Sequence, residues 1–131
     1  MRVEWAFACR TLRRRGTEID AIGVGIDTFA LPLVDQLELV ALIRVAAPAA
    51  DCGIGHPVLC RLTGPELELI ESRDFSLTLR VPGDEHPDGW EVNAFVPAIF
   101  YFDTEQAGTY GLDIWIDGRF RWQVPFRVLA A

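Results

Sequence analysis

Residues 110–128, YGLDIWIDGRFRWQVPFRV, decide the fold class because apolar and polar side chains alternate on both sides of Asp117-Gly118. A period of two is typical of a β-strand with one buried face, and Asp-Gly between two such runs favours a β-hairpin. The segment therefore predicts antiparallel strands packed sheet on sheet. The residues predicted to share the buried face are Tyr110, Leu112, Ile114 and Ile116 in the first strand and Phe120, Trp122, Val124, Phe126 and Val128 in the second.

The loop of this hairpin is predicted from the faces that have to match. Directly opposite residues share a face, so a two-residue turn would set Ile116 against Arg119 and mismatch the apolar faces. We therefore predict a three-residue loop, Ile116-Asp117-Gly118, with Gly118 in the left-handed conformation of a G1 bulge. In that register Ile114 faces Phe120, Leu112 faces Trp122, Tyr110 faces Val124, Asp113 faces Arg121, and Trp115 faces Arg119 within cation–π reach.

The rest of the chain continues the same pattern. Turn residues recur at intervals of roughly ten residues without a convincing helical period, which is typical of a β-sandwich. We predict one domain, residues 1–131, with an all-β fold: an antiparallel β-sandwich of about eight strands, immunoglobulin-like. The predicted strands are 2–10, 18–28, 37–46, 58–63, 75–81, 91–102 and the two of the terminal hairpin, while 66–71 is compatible with a short strand or a helical turn.

Three segments carry further information. Residues 37–46 are apolar on both faces, as a central strand would be. Arg13-Arg14-Arg15 is predicted to be a solvated cluster at a turn, with contact to an anionic partner as the alternative. In residues 2–10, one set of side chains alternates with the polar Arg2, Glu4 and Arg10, namely Val3, Trp5, Phe7 and Cys9.

Composition limits the partners. The net charge is −7, and all 12 basic residues are Arg. An acidic chain is repelled by a phosphate backbone, so we predict no nucleic-acid partner and no membrane partner. Three Cys residues are an odd number for a disulfide framework, and the amino terminus starts with strand-like alternation and no targeting segment, so we predict a cytoplasmic, reduced protein.

Candidate chemistry is sparse. Cys52, His56 and Cys60 are spaced by four residues, but intervening Gly and Pro oppose a helix and no Cys-x2-Cys pair is present. The acidic loop around His86 is a weak candidate for a cation or acid–base site, with Asp84, Glu85 and Asp88 as the carboxylates. No Ser, Cys or His stands in a nucleophile motif, and no phosphate-binding glycine loop is present. We therefore predict no cofactor, no metal and no enzymatic activity.

Interaction candidates come from apolar residues at positions that strands expose. The segment 95–102 is apolar on both faces, so it is either fully buried or presents Ile99 and Tyr101 to another subunit. Trp115 interrupts an otherwise polar face. It either contacts Arg119 by a cation–π interaction or offers a stacking platform for a sugar or a partner side chain.

The residues VEWAF at 3–7, IGVG at 22–25 and GTY at 108–110, followed by the terminal hairpin, resemble an uncharacterised family of small bacterial β-sandwich domains. The loop from Cys52 to Cys60 departs from that pattern. The resemblance implies the sandwich fold and no assigned activity. We therefore expect a non-catalytic protein-interaction module that binds a protein partner or self-associates; the alternatives are a small-molecule or carbohydrate-binding β-sandwich and a metal-assisted enzyme.

Overall fold

Ten strands, arranged in three sheets, make up nearly all the regular structure of residues 1–31, 36–83 and 86–130, which the computed structural model describes. The all-β sandwich predicted from the sequence is confirmed. The strands are β1 Arg2–Cys9, β2 Thr11–Arg15, β3 Glu18–Ile22, β4 Thr28–Ala30, β5 Leu37–Ala47, β6 His56–Thr63, β7 Leu69–Leu77, β8 Val92–Phe102, β9 Gly108–Ile116 and β10 Arg119–Leu129, with one 3₁₀ turn, Ala49–Asp51, between β5 and β6. Their number exceeds the predicted eight, and the details of the immunoglobulin-like arrangement differ accordingly.

Two sheets enclose the core. The first has the order β1-β5-β8 and is antiparallel, and the second has the order β4-β10-β9-β6-β7, with β4 parallel to β10. β5 lies at the centre of the first sheet, as its two apolar faces predicted. Phe100 and Phe126 are the largest fully buried side chains, one from each sheet. Tyr110 stacks on Phe126 with ring centroids 5.3 Å apart and donates its hydroxyl proton to the Gln106 carbonyl oxygen at 2.6 Å.

Several predicted boundaries were wrong. Arg13, Arg14 and Arg15 belong to β2, which forms a separate hairpin with β3. The predicted strand 18–28 ends at Ile22, because Gly23 adopts a positive φ of 70°. The two segments 66–71 and 75–81 are replaced by the single strand β7. For β2 and β7 the sequence pattern was compatible with a turn or a strand, and pairing with β3 and β6 decided the assignment.

The predicted register of the terminal hairpin is also wrong. Ile116 pairs with Arg119 across the two-residue turn Asp117-Gly118, whose φ angles of 54° and 75° are both positive, as a type I′ turn requires. A β-bulge in β10 brings the apolar faces of the two strands back into register. Arg121 is the extra residue, between the pairs Phe120–Trp115 and Trp122–Ile114. Phe120 therefore lies opposite Trp115 on the outer face rather than in the core, and Asp113 faces Gln123.

A second bulge lies in β1. Val3 pairs with Val45 and Trp5 pairs with Arg44, so that Glu4 is the extra residue. Val3 consequently points into the core, whereas Trp5 and the alternate residues after it lie on the outer face of the first sheet. The single apolar face predicted for residues 2–10 is thus divided between the two sides of the sheet.

His56 secures the turn of the terminal hairpin. Its Nδ1 lies 2.9 Å from Asp117 Oδ2, and its Nε2 lies 3.2 Å from the carbonyl oxygen of Asp51. A carboxylate and a carbonyl oxygen only accept hydrogen bonds, so the ring can satisfy both at once only in the imidazolium form, which donates from both nitrogens. The hydrogen bond to Asp117, followed by that to the Asp51 carbonyl, raises the pKa of His56 above its ordinary value.

This contact predicts a pH-dependent stability. Because the pKa of His56 is raised on folding, the stabilisation is complete below the unfolded-state pKa of about 6.5 and is lost as the pH rises through the folded-state pKa. Asp117→Asn keeps a residue that tolerates a positive φ but removes the charge, so the pKa of His56 should fall. An NMR titration of the two His residues measures this, with His86 as the internal reference. An unchanged His56 titration would contradict the proposed contact.

A Phe→Ala substitution should lower the free energy of unfolding by different amounts on the two faces of β8. Phe100 is fully buried between the sheets, whereas Phe95 lies on the outer face and is 37% exposed. Phe100→Ala should lower the free energy of unfolding by about 3–5 kcal/mol, because it opens a cavity in the core. Phe95→Ala should lower it by about 1 kcal/mol. Urea denaturation of both variants checks the assignment of faces, and equal losses would contradict it.

Candidate functional site

The outer face of the first sheet carries a continuous group of apolar side chains, which we call the apolar face. It is arranged in cross-strand rows, because directly opposite residues of antiparallel strands share a face. Val40 of β5 lies between Cys9 and Ile99, and Leu42 lies between Phe7 and Pro97. The members are Trp5, Phe7 and Cys9 from β1, Val40 and Leu42 from β5, and Phe95, Pro97, Ile99 and Tyr101 from β8.

The apolar face has a buried floor and half-exposed walls. Val40 and Leu42 are only 2% and 3% exposed, although neither belongs to the core cluster between the sheets. Trp5 stands at one side, with its ring centroid 4.9 Å from that of Phe7 and 5.8 Å from that of Phe95. Tyr101 is 53% exposed. The outer face of an antiparallel sheet is ordinarily polar, so half-exposed aromatic walls over an apolar floor make this face a candidate contact surface.

Ion pairs border one end of the apolar face. Arg2 contacts both Glu91 and Glu4, and Glu4 Oε2 lies 2.8 Å from Arg44 Nε. Arg44 in turn lies over the ring of Phe95, 5.5 Å from its centroid. The hydrogen bond from Arg2 lowers the pKa of Glu91 below its ordinary value. These charges neutralise one another, so this end of the face presents little uncompensated charge to a partner.

The predicted interaction residues divide between the two sheets. Ile99 and Tyr101 lie on the apolar face, with Ile99 half-buried. Trp115 lies on the outer face of the second sheet, and its aromatic partner is Phe120, edge to face at 5.7 Å. The predicted pairing of Trp115 with Arg119 is therefore wrong, since Arg119 lies opposite Ile116. Trp5, Phe7 and Phe95 were not predicted as surface residues, although their alternation was visible in the sequence.

The side chains considered as metal ligands have other contacts. Cys60 lies in the core, and burial raises the pKa of its thiol to about 11, so the thiolate is strongly disfavoured. Both ring nitrogens of His56 are engaged as described above. His86 Nε2 lies 2.9 Å from the carbonyl oxygen of Trp90. Within residues 1–31, 36–83 and 86–130, His, Cys, Asp and Glu do not form a group of three suited to a metal ion.

The acidic-loop candidates are only partly covered by the structure. Asp84 and Glu85 lie outside the described residues. Asp88 lies in an exposed turn. In the part of the chain that the structure describes, no helix has the length and hydrophobicity that crossing a membrane requires.

Comparison with known proteins adds no family. No protein-family model matches the chain, and no curated protein matches it. The resemblance to uncharacterised bacterial β-sandwich domains stays a prediction.

Proposed function

We propose that this protein is a non-catalytic interaction module that binds another protein through the apolar face. The observation that carries the proposal is the continuity of this face across all three strands of the first sheet, with a buried floor at Val40 and Leu42 and exposed aromatic edges. The exposed apolar area of the walls, at Phe95 and Tyr101, is removed from water on association, and aromatic side chains are enriched where interfaces bind most strongly.

The face of the sheet is favoured over its β8 edge. β8 is an edge strand, and Pro97 stands in its middle without a backbone N–H. Proline in an edge strand is accommodated where the N–H would point away from the neighbouring strand, so the edge lacks a donor for an added strand. A partner that docks on the side chains does not need those backbone groups.

The chemistry of the partner follows from the charges around the face. The pairs among Arg2, Glu4, Arg44 and Glu91 leave little net charge at one end of the face, and Glu38, exposed opposite Tyr101, leaves one carboxylate at the other. The partner should therefore present an apolar surface with a hydrogen-bond donor or a positive charge near Tyr101. The nine side chains of the face are fewer than the 20 to 30 residues typical of one side of a stable interface. These nine side chains would therefore form the centre of a larger interface, where most of the binding energy is concentrated. The three cysteines are free thiols, which fits a cytoplasmic setting.

Arginine substitution at Tyr101 tests the proposal. Tyr101→Arg replaces the exposed ring with a charged side chain opposite Glu38, and loss of the aromatic contact together with desolvation of the new charge should weaken binding by more than about tenfold. Phe120→Arg is the matched control, because Phe120 is an aromatic residue of nearly the same exposure, 51% against 53%, on the opposite sheet. Tagged wild type and both variants are used to capture proteins from lysate of the source organism, with quantification by mass spectrometry. We expect a partner bound by wild type and Phe120→Arg and lost with Tyr101→Arg.

Light scattering of the purified proteins shows whether the partner on the apolar face is another protein or a second copy of this chain. A dimer that forms in wild type and Phe120→Arg but not in Tyr101→Arg would identify a second copy of the chain as the partner. The proposal is wrong if no captured protein and no self-association depends on Tyr101 while circular dichroism shows all three proteins folded.

A further inference from the structure

The outer face of the second sheet, on the side of the sandwich away from the apolar face, contains an open hollow of about 450 Å³. This volume lies within the range of small-molecule sites. β6, β7, β9 and the terminal turn supply its walls. The residues that matter for its chemistry are Pro57, Leu59, Arg61, Asp74, Trp115 and Gly118.

Strand pairing explains why these side chains converge. Leu59 of β6 pairs with Asp74 on one side and with Trp115 on the other, so the three side chains form one row on the same face. Phe120 continues the row in β10. At the end of the hollow, Gly118 leaves open space, since a Cβ built there meets no atom within 4 Å. The floor of the hollow is therefore apolar and partly aromatic.

The polar groups of the hollow are not paired with each other. Among the described residues, neither Arg61 nor Asp74 has a salt-bridge partner within 4.0 Å. Asp113, which lies opposite Arg61, accepts a hydrogen bond from Gln123 Nε2 at 2.8 Å. The walls thus offer one guanidinium donor and one carboxylate acceptor, with no net charge between them.

Two further donors next to this row lack an acceptor. Trp115 Nε1 and Arg121 Nε are buried and have no hydrogen-bond partner among the described residues; a third such donor, Arg44 Nε on the first sheet, lies 2.8 Å from Glu4 Oε2 as an ion pair. Buried donors in folded proteins are nearly always satisfied, and of these two only Trp115 lines the hollow, so its indole N–H is the donor that points to a missing acceptor there. Both atoms are covered by protein, so a ligand reaches them only if a neighbouring side chain moves.

We propose that this hollow binds a carbohydrate, with a sugar ring placed against Trp115. The C–H face of a pyranose ring packs on an aromatic surface, while its hydroxyls both donate to Asp74 and accept from Arg61. A simple anion would meet Asp74 as a like charge, and a hydrocarbon would bury both charged groups without hydrogen bonds. A neutral polyhydroxyl ligand can pack against the Trp115 ring, donate hydrogen bonds to Asp74 and accept them from Arg61. This site is independent of the apolar face, so either proposal can fail alone.

An NMR titration tests the site. The probes are cellohexaose, xylohexaose, maltohexaose and chitohexaose at millimolar concentration, and the readout is the indole N–H signals of the four Trp residues, with Trp115 assigned by Trp115→Phe. We expect at least one oligosaccharide to shift the Trp115 signal in a saturable way and to leave that of Trp5 unchanged. Absence of any saturable shift at Trp115 across the four probes would overturn the proposal. So would a shift produced by acetate or glycine and by none of the sugars.

Variants locate the binding. Trp115→Ala should weaken the affinity for the bound oligosaccharide by at least about tenfold. Asp74→Ala changes an exposed side chain, keeps the aromatic floor and should also weaken it, which guards against a folding defect in Trp115→Ala. Trp90→Ala, at a residue 67% exposed that does not line the hollow, should bind as wild type does. Equal affinity of wild type, Trp115→Ala and Asp74→Ala would place the sugar elsewhere and overturn the proposal.

Discussion

Because a β-strand points successive side chains to opposite faces, one extra residue changes the side of the sheet on which every later side chain lies. Two such residues, Glu4 in β1 and Arg121 in β10, determine which aromatic rings of this protein face the core. Without the bulge at Glu4, Val3 and Trp5 would share a face, and the rings of β1 would have to fit between the sheets. With it, Val3 fills the core and Trp5 remains outside.

The bulge in β10 also explains why the turn could be tight. Asp117 and Gly118 are well suited to a two-residue type I′ turn, and the contact between Asp117 and His56 holds that turn against the start of β6. The mismatch of faces that such a turn creates is then corrected at Arg121. Pairing Phe120 with Trp115 moves an aromatic ring to the outer face, where it extends the row that forms the floor of the hollow.

These two bulges mark the limit of what the sequence predicted. The fold class and the existence of the terminal hairpin follow from alternation, and the central position of β5 follows from a run that is apolar on both faces. Both patterns can be read from the strand's own residues. The position of a bulge depends on a partner strand, so parity showed that an irregularity was needed near Asp117 but not that it lay at Arg121. For the candidate site, Ile99 and Tyr101 were identified from a strand apolar on both sides. Trp5 was assigned with Val3 because their spacing is that of one face.

The opposite faces of the sandwich differ in how their charges are satisfied, and this difference decides what each can bind. At the apolar face, Arg2 and Arg44 already have carboxylate partners, so a protein surface that covers them buries paired charges, which costs less than burying unpaired ones. In the hollow, Arg61 and Asp74 have none, and an apolar partner would leave both charges buried and unsatisfied. An apolar protein surface therefore fits only the first face. A ligand rich in hydroxyl groups gains most from the second, because it supplies the hydrogen bonds that the protein leaves open there.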